Sequence, residues 1–251
     1  MSDPRRPWLG FHLTKGIGPS RVTRLLEHFG DLARAWDAAP RELERAGFGE
    51  ALRTNIAATK HTWDLDHELA RVDRAGVTLL TLDDPAYPAR LRQIAAPPPV
   101  LYVRGSLTDA DELALGIVGT RRATAYGREV TTRLAGELAT AGLTIVSGLA
   151  KGIDAYAHDA ALRAGSRTIA FLGCGIDVVY PAEHRALAAR ISDGGQGALI
   201  AEYHLGTPPD APNFPARNRL ISGFSLGVLV TESPAKGGAT QCTPHSHLFA
   251  G

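Results

Sequence analysis

The chain has 251 residues, with 27 Lys+Arg against 26 Asp+Glu, a net charge of +1 and 44% apolar residues. That length suits one large domain, or one plus a small appendage, and two cysteines exclude a disulfide framework and point to the cytoplasm. No uncharged apolar run of about 18 residues exists to cross a membrane, and residues 1–6 open no secretory leader.

Taken as a sum, the charge argues against a nucleic-acid partner, but charge placement matters more than the total. Of the 27 basic residues, 23 are Arg and only Lys15, Lys60, Lys151 and Lys236 are Lys. Arg suits bidentate phosphate contacts, although genomic base composition produces the same bias.

Residues 1–64 read as helical. Val22, Leu25, Leu26 and Phe29 keep helical spacing, with Ser20 placed to cap that helix and Gly30 to end it. Gly16-Ile17-Gly18 before it resembles the turn of a helix-hairpin-helix (SAM-like) module, and 43–49 is a weaker second copy. Such glycines let backbone N–H groups approach a phosphate; a small packing module with an ordinary turn fits equally well. Residues 65–112 form a structured connector: an amphipathic helix at 64–75, a strand at 77–82, turn chemistry at 83–88, and Pro97-Pro98-Pro99 forcing extended backbone into 100–103. A domain boundary is expected at 105–112.

From 113 to 240 the pattern is regular. Strands are read at 113–119, 143–147, 168–173, 198–203 and 226–232, most of them short apolar runs as expected for burial on both faces. Helical patterns fall between most of them, at 126–140, 153–164, 183–192 and 215–224. The expected fold class is α/β: a Rossmann-like, doubly wound, mostly parallel sheet behind a small all-helical domain. Right-handed crossovers place the strands' carboxyl ends on one side, where such sheets bind ligands.

The loops on that side carry the chemistry. They are Gly119-Thr120-Arg121-Arg122, Ser147-Gly148-Leu149-Ala150-Lys151, Gly173-Cys174-Gly175 leading to Tyr180-Pro181 and Arg185, and Phe214-Pro215-Ala216-Arg217-Asn218-Arg219. Each joins small residues, which admit a ligand to the backbone, with a cation, and helix N-termini add anion-favouring dipoles. Segment 113–240 holds 12 Lys+Arg and 10 Asp+Glu, so a cationic edge is hidden in a neutral sum. Gly173-Cys174-Gly175 lacks the last glycine of a dinucleotide fingerprint, and no Walker-type phosphate loop exists. Four loops along one edge suit a polyanionic strand. Tyr126, Tyr180 and Phe214 are candidates to stack bases or, equally, to pack.

Asp154 and Asp177 read as first-turn helix acids. Cys174 with His158 or His184 follows no nucleophile spacing. Cys242, His245 and His247 make an incomplete metal set, so no metal, cofactor or catalytic residue is expected. Two rivals stand beside strand binding: a nucleotide-processing Rossmann-like hydrolase, whose usual Pro-Gly-Gly-x-Gly-Thr loop is absent, and an interaction scaffold built on residues 1–64.

The motifs at 115–123, 145–154 with Ala157-His158, 173–181 and 214–221 together resemble the DNA-processing protein A (DprA/Smf) family, from about residue 8 to 240. The resemblance implies sequence-independent capture and protection of single-stranded DNA during natural transformation, loading of RecA recombinase, a homodimer, and no catalysis. Carried onto this chain, the DNA pocket comprises Gly119, Thr120, Arg121, Arg122, Ser147, Gly148, Lys151, Gly173, Gly175, Arg185, Phe214, Arg217, Asn218 and Arg219. Four to six engaged phosphates are expected. Residues 241–251 depart from the family pattern and read as an atypical, truncated or frameshifted tail, which puts the dimer and RecA contacts in question.

Overall fold

The computed structural model describes residues 3–234; the tail, with Lys236, Cys242, His245 and His247, lies outside them. The chain divides into two compact units, Met1–Leu101 and Tyr102–Gly251.

The first unit opens with six helices: α1 (Arg5–Leu13), α2 (Pro19–Phe29), α3 (Leu32–Asp37), α4 (Pro40–Arg45), α5 (Glu50–Thr62) and α6 (Leu65–Arg74). Ser20 does not cap α2. Pro19 has no N–H to lose and a φ already suited to a first turn, so the helix starts there with Gly18 as its extended N-cap. Gly30 does end it, at φ 84°. Phe11 and Trp36 meet edge to face with centroids 5.0 Å apart in the core of this unit. After α6 come β1 (Thr78–Thr81), α7 (Ala89–Arg92) and β2 (Val100–Gly105), and the unit division falls inside β2. The Tyr87 hydroxyl donates to Pro98 O at 2.9 Å, which ties the 83–88 turn to the proline run.

In the second unit a 3-10 turn (Asp109–Glu112) leads into β3 (Ala114–Gly119), α8 (Ala125–Thr140), β4 (Thr144–Ser147), α9 (Ile153–Arg163) and β5 (Thr168–Gly175). A further 3-10 turn (Ala182–His184), α10 (Arg185–Ser192), β6 (Gly197–Tyr203), α11 (Asn213–Phe224) and β7 (Gly227–Glu232) complete it. The seven strands form one sheet in the order β1-β2-β6-β5-β4-β3-β7. Strands β3 to β7 run parallel, and β2 is antiparallel to β6. From β3 the chain steps outward through β4 and β5 to β6, then returns to lay β7 on the other side of β3. With right-handed crossovers, α8, α9 and α10 share one face and α11 covers the other.

Every residue of β5 is buried, as its unbroken apolar run requires. Ala135 and Ala139 of α8 meet Ala157, Ala160 and Ala161 of α9 over Ile117 and Ile145. Small side chains let the two helices lie close while both still cover the sheet. The sheet's amino end is locked by a bidentate ion pair: Arg167 Nε and Nη2 each reach the buried Asp111 carboxylate at 2.8 Å. Thr144 Oγ1 and Thr108 N also donate to that carboxylate.

Candidate nucleic-acid interface

At the carboxyl edge, Phe214 on the first turn of α11 is the centre of a stacked group. The Arg121 guanidinium lies 5.6 Å over its ring, and the half-exposed Tyr180 ring sits 5.6 Å away, tilted by 42°. Gly173 supplies the floor: a Cβ there would come within 2.9 Å of the Phe214 ring. The glycine therefore makes room for an aromatic of this chain, not directly for a ligand. Arg122 is exposed beside Arg121, and its N–H donates to Thr120 Oγ1 at 3.1 Å. Tyr126, on the first turn of α8, is 75% exposed.

The cations of this edge divide into two layers. Lys151 is exposed and pairs with Glu183 at 2.7 Å; that bond draws the Glu183 carboxyl below its usual range. Arg217 is turned inward and only 4% exposed, and its Nη1 donates to Gly148 O at 2.7 Å and also to Phe171 O. A Cβ on Gly148 would strike that guanidinium at 2.4 Å. Arg219 pairs with the largely buried Glu202, whose carboxyl burial pushes up while Arg219 pulls it back. Asn218 is half-buried on α11. Arg185 opens α10 and faces a separate cleft of about 460 Å³ with Arg104, Val178 and Leu199, not the Phe214 group.

The remaining predicted residues shape the loops. Ser147 is buried and donates to Ile117 O at 2.6 Å. Gly119 lies where a Cβ would sit 2.6 Å from Glu232 O, and Gly175 where it would sit 2.7 Å from His204 O. Thr120 N donates to Glu232 O at 2.7 Å. Gly152, at φ 77°, turns the chain into α9 in a conformation that favours glycine.

Acids stand on this same edge: Glu202 and Glu232 went unread in the sequence, whereas Asp154 falls in the first turn of α9 as expected. The Glu232 carboxylate, at the end of β7, accepts from Thr124 N at 3.0 Å and closes the N-terminus of α8; a Cβ on Gly127 would overlap it. The buried Asp154 carboxylate accepts from Gly148 N at 3.1 Å and Ala150 N at 3.3 Å. Burial pushes that carboxyl up, while Arg217 and the two N–H groups pull it down. Asp177 lies in a turn, not at a helix start, and accepts from Gly206 N at 2.8 Å. Loop N–H groups expected to meet a ligand anion at α8 and before α9 are thus satisfied by the chain's own carboxylates. Unpaired buried donors are costly, so an edge rich in inward N–H groups recruits acids to match. The signal was present: Glu202 and Glu232 end or nearly end parallel strands.

Cys174 is buried, its thiol pushed up to about 11 by burial, and Sγ donates to Val178 O at 2.9 Å. His158 is fully buried. Thr168 Oγ1 donates to Ile145 O, so His158 Nδ1 donates to Thr168 Oγ1 at 2.7 Å; burial drives the imidazole down to about 3 and keeps it neutral. Neither residue is placed for nucleophilic chemistry. No helix among the described residues is long and apolar enough to cross a membrane.

A sequence model described as DNA recombination-mediator protein A matches residues 78–246. Protein Smf of Synechocystis is 41% identical over 247 residues, covering 96% of this chain and 62% of that protein. DNA processing protein DprA of Bacillus subtilis is 38% identical over 176 residues, 70% of this chain and 59% of that protein. The chain spans about half to three fifths of the curated relatives it matches. An X-ray structure of DNA processing protein A from Streptococcus pneumoniae superposes with a TM-score of 0.78 at 28% identity, covering 94% of this chain and 81% of that one. A second, from Helicobacter pylori, described for its single-stranded DNA binding mode, reaches 0.59 at 32% identity over 66% and 74% of the two chains.

Proposed function

The chain belongs to the DNA recombination-mediator protein A family, and we propose that it captures single-stranded DNA, without sequence preference, at the Arg121–Phe214–Tyr180 edge. The stacked group carries this reading. Phe214 and Tyr180 offer rings to unpaired bases, and stacking on such rings is worth about 1–3 kcal/mol per base whatever its identity. Arg121, Arg122 and Lys151 hold phosphates from above. Arg217, Asp154 and Glu232 act as positioning residues that fix the loops from below. Arg217 and Arg219 are committed internally, so the number of engaged phosphates falls below the four to six expected from the motifs. The DNA-binding mode described for the Helicobacter pylori protein supports the assignment. In this reading the protein protects incoming strands in the cytoplasm during natural transformation, hands them to RecA recombinase, acts as a homodimer and is no enzyme.

The test is a titration with labelled oligothymidylate at two salt concentrations. With three phosphates engaged, log K falls with log salt at a slope of about 2. A salt-independent affinity, or none for single strands, overturns the proposal.

A further inference from the structure

The outer groove between α8 and α9 is a second feature of this face. It encloses about 650 Å³, with Arg128 and Arg133 of α8 facing Tyr156, Asp159 and Arg163 of α9. Arg128 lays its guanidinium 5.4 Å over the Tyr156 ring. Asp159 is already held twice, by Arg163 and by Arg190 Nη1 at 2.8 Å. Glu129 stands four residues before Arg133, yet no ion pair forms between them among the described residues. Four guanidinium groups therefore meet two carboxylates, and Arg128 and Arg133 keep their charge for an external anion.

The groove begins where the first loop ends. Ala125, the first residue of α8, lines it, three positions after Arg122. Resting on the capture reading above, we propose that this groove continues the DNA path: a single strand leaving the Arg121–Phe214 edge lays further phosphodiesters along Arg128 and Arg133 and stacks a base on the Arg128–Tyr156 platform. A guanidinium lying on an aromatic ring presents a flat face to a base and N–H edges to phosphate, a pairing that an ammonium on a flexible stem does not provide. An acidic peptide would meet the charges but leave the platform unused.

The experiment measures affinity of the whole chain for oligothymidylates from about 4 to about 16 nucleotides, the span of ordinary single-strand sites. In the R128Q/R133Q variant, with its melting temperature checked, binding of the shortest strands stays within about twofold. Binding of the longest falls about tenfold, and their salt slope drops by about 1.4, the contribution of two phosphates. Tyr156→Leu lowers long-strand affinity and leaves the slope unchanged. Equal loss at every length, or no loss at any, overturns the groove while the edge site stands. Polyglutamate of matched charge competing as well as the long strand also overturns it. Failure of the wild type to bind even short strands overturns the edge reading, and this one with it.

Discussion

The two ends of the sheet use arginine in opposite ways. At the amino end Arg167 is locked bidentate onto a buried carboxylate that receives two further donors. At the carboxyl end Arg121 and Arg122 are exposed, and Arg121 rests on a ring, not on an acid. Arg217 lies between these extremes: it belongs to the carboxyl edge but is spent on two carbonyls beneath the surface. The same side chain is a clamp where it is desolvated and paired, and a contact group where it is left to solvent. Residue type along one edge therefore overstates a binding site, because part of each cationic motif is used to hold the loops that present the rest.

The sharpest way to break this contrast is Arg167→Ala. It strands the Asp111 charge in a buried position and should cost about 3–5 kcal/mol, read by urea unfolding. Affinity for single strands, measured where the variant is still folded, should not change. A small stability loss would mean that the amino end is no clamp.

The next effect is a pH dependence. His158 stays neutral in the fold down to about 3, whereas the unfolded chain protonates it near 6.5. The unfolded state therefore binds the extra proton below that value, and stability falls as pH drops through this window by about 1.4 kcal/mol per unit. Asp154, held up by burial, acts in the opposite direction above the usual carboxylate value. Unfolding wild type and His158→Asn at pH 7 and pH 5 should show the steeper loss in wild type; parallel slopes would remove His158 as the cause.

The smallest effect on stability, and a clear one on binding, belongs to Arg121→Ala. Stability should move by less than about 0.5 kcal/mol, as for ordinary surface changes. Strand affinity should fall about tenfold, the size of one charge-assisted contact, and the salt slope by about 0.7. A base-dependent loss would show that the edge reads sequence.

Much of the second unit was legible in the chain. The apolar runs end within a residue or two of β3, β4, β5, β6 and β7; the inner strands are buried on both faces and permit no polar interruption, whereas β7, at the sheet edge, is half-buried throughout. The start of α2 was misplaced by two residues because a proline at the first helical position outweighed the cap preference of Ser20. Phe214, Arg121, Arg122 and Lys151 were legible as site candidates from their place after strands and at helix starts. Arg217 was not separable from them, since nothing local distinguishes an arginine that points out from one that points in.

Composition and periodicity by themselves determined the fold class and the edge on which the loops gather, because those follow from local rules of burial and crossover handedness. The charge balance of +1 was no guide in either direction: the tertiary structure draws Glu183, Glu202, Glu232 and Asp154 to the same edge as the cations. Only the packing decided which cations remain for a ligand. That choice depends on which buried N–H groups and carbonyls need partners, and those partners lie up to 108 residues apart in the chain.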